Sequence, residues 1–235
     1  MSLEDINNFA NFCSTLNEPL SLGGRFHRYL RASIIRASLL PGQPIFEVEM
    51  SNRFAISRQP VREAFISLRN ERLIEVAPKI GTYVRKISLK EVLDARHVRE
   101  VVEVAIVQEV ARQHKKELIK TLRQLVAQQR QVKHGDNHAF LLLDDALHRS
   151  IALHAGREFA WRVIDSAKAQ MDRVRFLSYD LASPFEELID DHAQIIDAIE
   201  AKDAAQAAQI LETHVRQVMQ TLPQVAQHYP DYFIE

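Results

Sequence analysis

Four residues are suited to joint chemistry by type and spacing: Asp144, His148, His192 and His214. Asp144 and His148 are four apart, so they share one helix face one turn apart. His148 lies in line with Leu141, Ile151, Ala152 and Ala155. His192 is bracketed by Leu188, Ile189, Ile195, Ile196 and Ile199, and His214 by Ala207, Leu211, Val218 and Leu222, at helical spacing. Each group is therefore expected to point into a helical core, where a carboxylate is costly unless paired or metal-bound. One carboxylate with three neutral imidazoles is a conventional ligand set for Zn²⁺ or Ni²⁺ that leaves positions open for water or a ligand. Any one of these histidines alone is better read as a hydrogen-bonded core residue; it is the four together that favour a metal.

Arg99 faces the same way as Val102, Ile106 and Val110, with Glu103 one turn on. An inward guanidinium beside a metal suits a small carboxylate that chelates the ion and bonds the arginine bidentately. An internal Arg99–Glu103 pair that fixes the helix is the other reading. Arg175 and Tyr179, one turn apart, are placed to line the same cavity.

The elements that must hold these groups read as helices. Gly and Pro number only 6 and 8 in 235 residues, about half the usual share. From Leu89 onward six helices are expected, at about Leu89–His114, Glu117–Lys133, Asn137–Ala155, Glu158–Ser178, Pro184–Ala201 and Asp203–Gln224. Such a bundle builds sites from side chains on facing helices. The single cysteine, Cys13, excludes a disulfide framework and Cys-rich zinc fingers. The six glycines give no GxGxxG, GxxxxGK[ST] or GxSxG spacing, so the commonest nucleotide-dependent enzymes and the hydrolase elbow are excluded. No apolar run approaches a membrane span and no signal-peptide pattern opens the chain, so a soluble, cytoplasmic protein is expected.

Charge divides the chain. Residues 21–87 carry twelve Lys/Arg against five acids, a net +7, while the first twenty carry −3 and the remainder −5. A basic module joined to an acidic one suits a nucleic-acid-binding head with a separate second domain. Within the module, Phe26, Leu30, Ile34 and Ile35 mark one helix and Glu47–Phe54 a second. Ser57 is the expected N-cap of a third, with Pro60 early in it and Val61, Ala64, Phe65 and Leu68 as its buried stripe. Two short strands, Ile74–Val76 and Thr82–Val84, follow, with Gly81 at a hairpin position that needs positive φ. Three helices and a two-stranded wing make a winged helix-turn-helix. The third helix would enter the major groove by its N-terminal turn: Arg58 and Arg62 suit guanine or phosphate, Gln59 suits adenine, and the Ser57 hydroxyl suits phosphate as well as capping.

Leu40-Pro41-Gly42, the run Ser57-Arg58-Gln59-Pro60-Val61-Arg62-Glu63-Ala64-Phe65, then Leu68, Leu73-Ile74 and Pro78-x-x-Gly81, resemble the signature of GntR-family bacterial transcription regulators. The family pattern has Gly, Thr and Leu where this chain has Ala55, Gln59 and Phe65. The resemblance implies DNA contacts by Arg58 and Arg62. At the wing, Ile80 stands where the family often has Arg, which leaves Lys79 as its substitute beside Gly81. Asp144-x-x-x-His148, His192 and His214 resemble the metal-binding pattern of the FCD effector domain, the FadR-type branch of that family, and Arg99–Glu103 fits its first helix. Ala155-Gly156-Arg157 departs from the small-Gly-Asn turn usual there. The Ser57–Ile66 run, with Asp172–Phe176 and Ser178, is similar to RspR-like repressors, which implies a sugar acid or related hydroxy acid as effector.

The expectation is a mostly α protein: an N-terminal extension (1–20), a winged helix-turn-helix (21–87), an all-helical six-helix effector and dimerisation domain (88–225) and a tail (226–235). It is read as a DNA-binding transcriptional regulator, a repressor and not an enzyme, acting as a homodimer on a palindromic double-stranded operator. A small carboxylate at a divalent-metal site (Zn or Ni) would control it. A regulator with the ion itself as signal, and a metal-dependent enzyme, are the alternatives.

Overall fold

The computed structural model describes residues 3–16, 19–77, 81–181 and 185–234. The chain divides into two compact units, residues 1–87 with 231–234, and residues 88–230.

The first unit begins with α1 (Leu3–Thr15), an element sequence reasoning left as an extension. Phe9 of α1 is buried, with ring contacts to Phe26 at 5.3 Å, Tyr29 at 5.4 Å and Phe54 at 6.0 Å. Edge-on aromatic packing of this kind makes the helix part of the core. α2 (Leu22–Ile35) starts at Ser21, whose hydroxyl accepts from Gly24 N, and buries Phe26, Leu30, Ile34 and Ile35. α3 (Glu47–Phe54) ends on Ala55 in the left-handed region, φ +53°, a conformation that disfavours a Cβ. α4 (Arg58–Asn70) buries Val61, Ala64, Phe65 and Leu68. Ser57 occupies its N-cap in extended backbone, but the hydroxyl makes no capping bond, which corrects the expected role. Strands β1 (Ile74–Ala77) and β2 (Gly81–Val84) pair antiparallel, Ile74 opposite Val84 and Ala77 opposite Gly81. Gly81 has φ +135°, and a Cβ there would come within 2.9 Å of the Phe46 ring. Lys79 lies outside the described residues. Two short strands, β3 (Ile87–Ser88) and β4 (Phe233–Ile234), form a second pair.

The second unit holds α5 (Leu89–Arg112), α6 (Lys116–Gln129), α7 (Asn137–His154), α8 (Glu158–Ala167), α9 (Ala169–Ser178), α10 (Phe185–Glu200), α11 (Ala204–Arg216) and α12 (Val218–His228). Two of the six expected helices are thus divided by one residue each. The break between α8 and α9 falls at Lys168, whose ammonium is wholly buried, and that between α11 and α12 falls at Gln217. Periodicity passes through both positions without a Gly or Pro to mark them. Among the described residues no helix is long and apolar enough to cross a membrane.

Candidate functional site

On α4, the apolar stripe fixes which face is left out. Ser57, Arg58, Gln59, Arg62, Glu63, Ile66 and Arg69 are exposed. Arg58 and Arg62 make no hydrogen bond or ion pair with any described residue. Arg62 pairs with neither its neighbour Glu63 nor Glu47. Glu63 instead accepts from Gln59 Nε2 at 3.0 Å, and its carboxylate packs so closely on Gly23 of α2 that a Cβ there would overlap it. Gln59 keeps its Oε1 for an outside donor. Two unpaired guanidiniums, an uncapped Ser57 hydroxyl and a half-engaged amide line the N-terminal end of one helix, where backbone N–H groups also favour anions.

The second unit carries a buried cluster of charged and titratable groups. Asp144 and His148 from α7, His192 from α10 and His214 from α11 are all buried, with one ligand atom from each lying within 4.8 Å of the others. Each imidazole turns Nδ1 outward onto a partner: His148 to Glu103 Oε2 at 2.7 Å, His192 to Gln129 Oε1 at 2.9 Å, His214 to Asp191 Oδ2 at 3.2 Å. Their Nε2 atoms converge. His192 Nε2 is 3.2 Å from His214 Nε2 and 3.4 Å from Asp144 Oδ1, and His148 Nε2 is 3.9 Å from Asp144 Oδ2. His148 Nε2 and Asp144 Oδ1 have no hydrogen-bond partner in good geometry.

Burial and neighbouring charges set the ionisation of Asp144, His192 and His214. Burial pushes His214 down to about 3 and lowers His192, so both rings are neutral near pH 7. Burial alone would raise the Asp144 carboxyl, but Arg175 and the imidazoles outweigh it and hold it well below the usual range. An ionised carboxylate and three imidazole nitrogens aimed at one point, each ring oriented by a partner on its far nitrogen, fit a divalent cation. Asp144, His148, His192 and His214 are the residues that would hold it.

Arg99 is 2% exposed, and its Nε lies 2.6 Å from Glu103 Oε1. Glu103 therefore serves Arg99 and His148 at once, and the internal Arg99–Glu103 pair, the second of the two readings, is formed. Burial opposes the Glu103 charge, and Arg99 and His148 still hold its carboxyl below the usual range. Arg175 Nη2 is 2.5 Å from Asp144 Oδ2, and its Nη1 is 3.3 Å from Asp172 Oδ1. Arg99, Arg175, Tyr179, Ser178, His214 and Thr221 are among the lining of a partly open cavity of about 30 Å³, space for one or two waters. The Tyr179 hydroxyl is buried there with no hydrogen-bond partner.

Sequence reasoning missed Gln129, Asp191 and Lys168. Gln129 sits in the stripe Leu118, Leu122, Val126, where a polar residue at a core position was a readable signal. Lys168 and Asp172 follow Ile164 at the same spacing. Lys168 Nζ lies 2.6 Å from Asp145 and 2.5 Å from Asp172. Asp191 carries no such signal.

Residues 94–217, more than half of the chain, match the family model of the FCD domain, and residues 24–84 match that of the bacterial regulatory proteins of the gntR family. The chain belongs to the GntR family. It is 34% identical over 221 residues to the HTH-type transcriptional repressor RspR of Escherichia coli K12, covering 94% of this chain and 97% of that one. It is 26% identical to the gluconate operon transcriptional repressor of Bacillus licheniformis, over 78% of this chain and 77% of that one. The fold is shared with Escherichia coli McbR/YncC, TM-score 0.75 at 19% identity, over 89% of this chain and 99% of the other. This GntR-family protein is a DNA-binding transcriptional regulator with an FCD domain, and not an enzyme.

Proposed function

We propose that this regulator is a repressor whose operator binding is controlled by a small carboxylate, a sugar acid or hydroxy acid, held at a divalent metal in the helical unit. The observation that carries the reading is the convergence of three imidazole Nε2 atoms and the Asp144 carboxylate. Lone pairs brought this close repel unless a cation or a proton lies between them. Zn²⁺ and Ni²⁺ both suit this N₃O set. An acid bound there would take an open metal position and meet Arg99, Arg175 and the orphan Tyr179 hydroxyl. The relative named as the gluconate operon transcriptional repressor supports the effector class, and the relative named as the repressor RspR supports repression.

On the DNA side, Arg58 and Gln59 would read base edges and Ser57 and Arg62 phosphates, with Lys79 and Gly81 of the wing beside the duplex. A homodimer would set two α4 helices into successive major grooves of a palindrome. The cavity holds only a water or two, so an acid must part its walls. A site whose shape changes with occupancy can bind the acid with different affinity in the DNA-competent and released states, the condition for control.

Thermal unfolding against gluconate, other hydroxy acids and dicarboxylates, with and without prior chelation, tests the reading. A ligand confined to the native state raises the midpoint by mass action. A shift with one acid that vanishes on chelation is expected. A metal-independent shift would move the acid away from the cluster, and a response to metal alone would make the ion the signal.

A further inference from the structure

Gln129 is 1% exposed and reaches the cluster from α6, a helix that supplies no metal-ligand candidate. Its role differs from those of the other two residues that orient an imidazole. Glu103 and Asp191 are carboxylates; ionised, they only accept, so they hold His148 and His214 with the proton on Nδ1 and a lone pair on Nε2. An amide accepts through Oε1 or, turned by half a rotation, donates through Nε2. Gln129 presents Oε1 to His192 Nδ1 at 2.9 Å, and its buried Nε2 has no partner.

His192 is also the ring with the most crowded Nε2, facing His214 Nε2 at 3.2 Å and Asp144 Oδ1 at 3.4 Å. Both of those neighbours are acceptors. With its proton on Nδ1, His192 adds a third lone pair to the same small volume, which a cation relieves. With its proton on Nε2, the ring donates to one of the two acceptors and needs a donor opposite Nδ1, which the turned amide supplies.

We propose that Gln129 is a two-way positioning residue that lets His192 exchange tautomers as the metal comes and goes, Oε1 facing the ring when the site is loaded and Nε2 when it is empty. The ring carries one proton and no charge in both states. The inference rests on the metal reading of the cluster. It explains why one orienting partner is a neutral amide in a site where the other two are acids: a third carboxylate would hold only the ligating tautomer and leave the empty site with converging lone pairs.

The test uses the full-length protein, Zn²⁺ as the probe, chelator competition for affinity and ¹⁵N NMR of the His192 ring for the tautomer. In the wild type, zinc should move the His192 proton from Nε2 to Nδ1. Gln129→Glu should show the Nδ1 proton with and without zinc and lower the thermal midpoint of the zinc-free protein only. Gln129→Leu, with no partner to offer, should weaken zinc binding by about 10- to 100-fold, the effect usual for an outer partner of a metal ligand. A zinc-free wild type with the proton already on Nδ1 overturns the proposal, as does unchanged affinity in both variants. Should Gln129→Leu fail to fold, the wild-type and Gln129→Glu tautomers decide. A wild type that binds no zinc removes the metal reading, and this proposal with it.

Discussion

Arg58 and Arg62 stand in solvent without a partner, whereas Arg99 and Arg175 are 2% and 9% exposed and each closes on a carboxylate within 2.6 Å. The two units thus use the same side chain for opposite purposes. A surface guanidinium left unpaired is available to phosphate and to base edges, and its field falls off with salt. A buried one must be neutralised before it can be tolerated, and in exchange its geometry is fixed. Lys168 extends the second pattern. Its wholly buried ammonium joins Asp145 and Asp172, and Asp172 in turn contacts Arg175, which contacts Asp144. A metal-ligand candidate is thereby tied through ion pairs to the break between α8 and α9. The first unit holds a smaller cluster of this kind, Glu71 with His27 at 2.7 Å and Arg31 at 2.9 Å.

The largest expected effect tests the buried side. Lys168→Met leaves the buried Asp172 and the half-buried Asp145 without the Lys168 ammonium, and should cost about 3–5 kcal/mol of stability. Chemical denaturation of the variant measures it. A loss below about 1 kcal/mol would mean that the acids reach water or other cations, and the contrast between the units would fail.

A smaller effect tests the exposed side. Arg58→Ala should reduce discrimination between operator and random DNA by about 1–3 kcal/mol. Arg69→Ala, further along the same face, should instead weaken both complexes equally and flatten the salt dependence by about one phosphate's worth. Gel shifts at several salt concentrations separate the two. Arg58→Ala binding both DNAs in the wild-type ratio would dismiss α4 as the reading element.

The smallest concerns pH. Burial raises the Glu71 carboxyl, but His27 and Arg31 together outweigh it and leave it below its ordinary value. A carboxyl lowered by folding contributes stability in full above its unfolded pKa, and the contribution fades as pH falls through the folded one. Glu71→Gln should therefore cost about 1.5 kcal/mol at pH 7 and nearly nothing at the acid end. Parallel unfolding curves for variant and wild type across pH check this. A constant difference would mean that the pair adds packing and no charge.

The buried stripes of α2, α4, α7, α10 and α11 were legible because apolar residues at spacings of three and four leave little choice of face. The same periodicity set Asp144, His148, His192 and His214 inward. α1 was not legible. Leu3–Thr15 is short, and its Phe9 gains meaning only from Phe26, Tyr29 and Phe54, residues distant in the chain. The capping role expected of Ser57 was half right: the backbone is that of an N-cap, and the hydroxyl stays free.

Local pattern, then, determined which residues face inward and which family signature they form, since helix periodicity and turn chemistry act over a few neighbours. Only the tertiary structure decided which inward groups meet. Glu103 on His148, Gln129 behind His192, and Lys168 on Asp145 are contacts across 23 to 63 residues of chain. In a buried site the partner of a charge is chosen by packing, and no one-dimensional spacing records that choice.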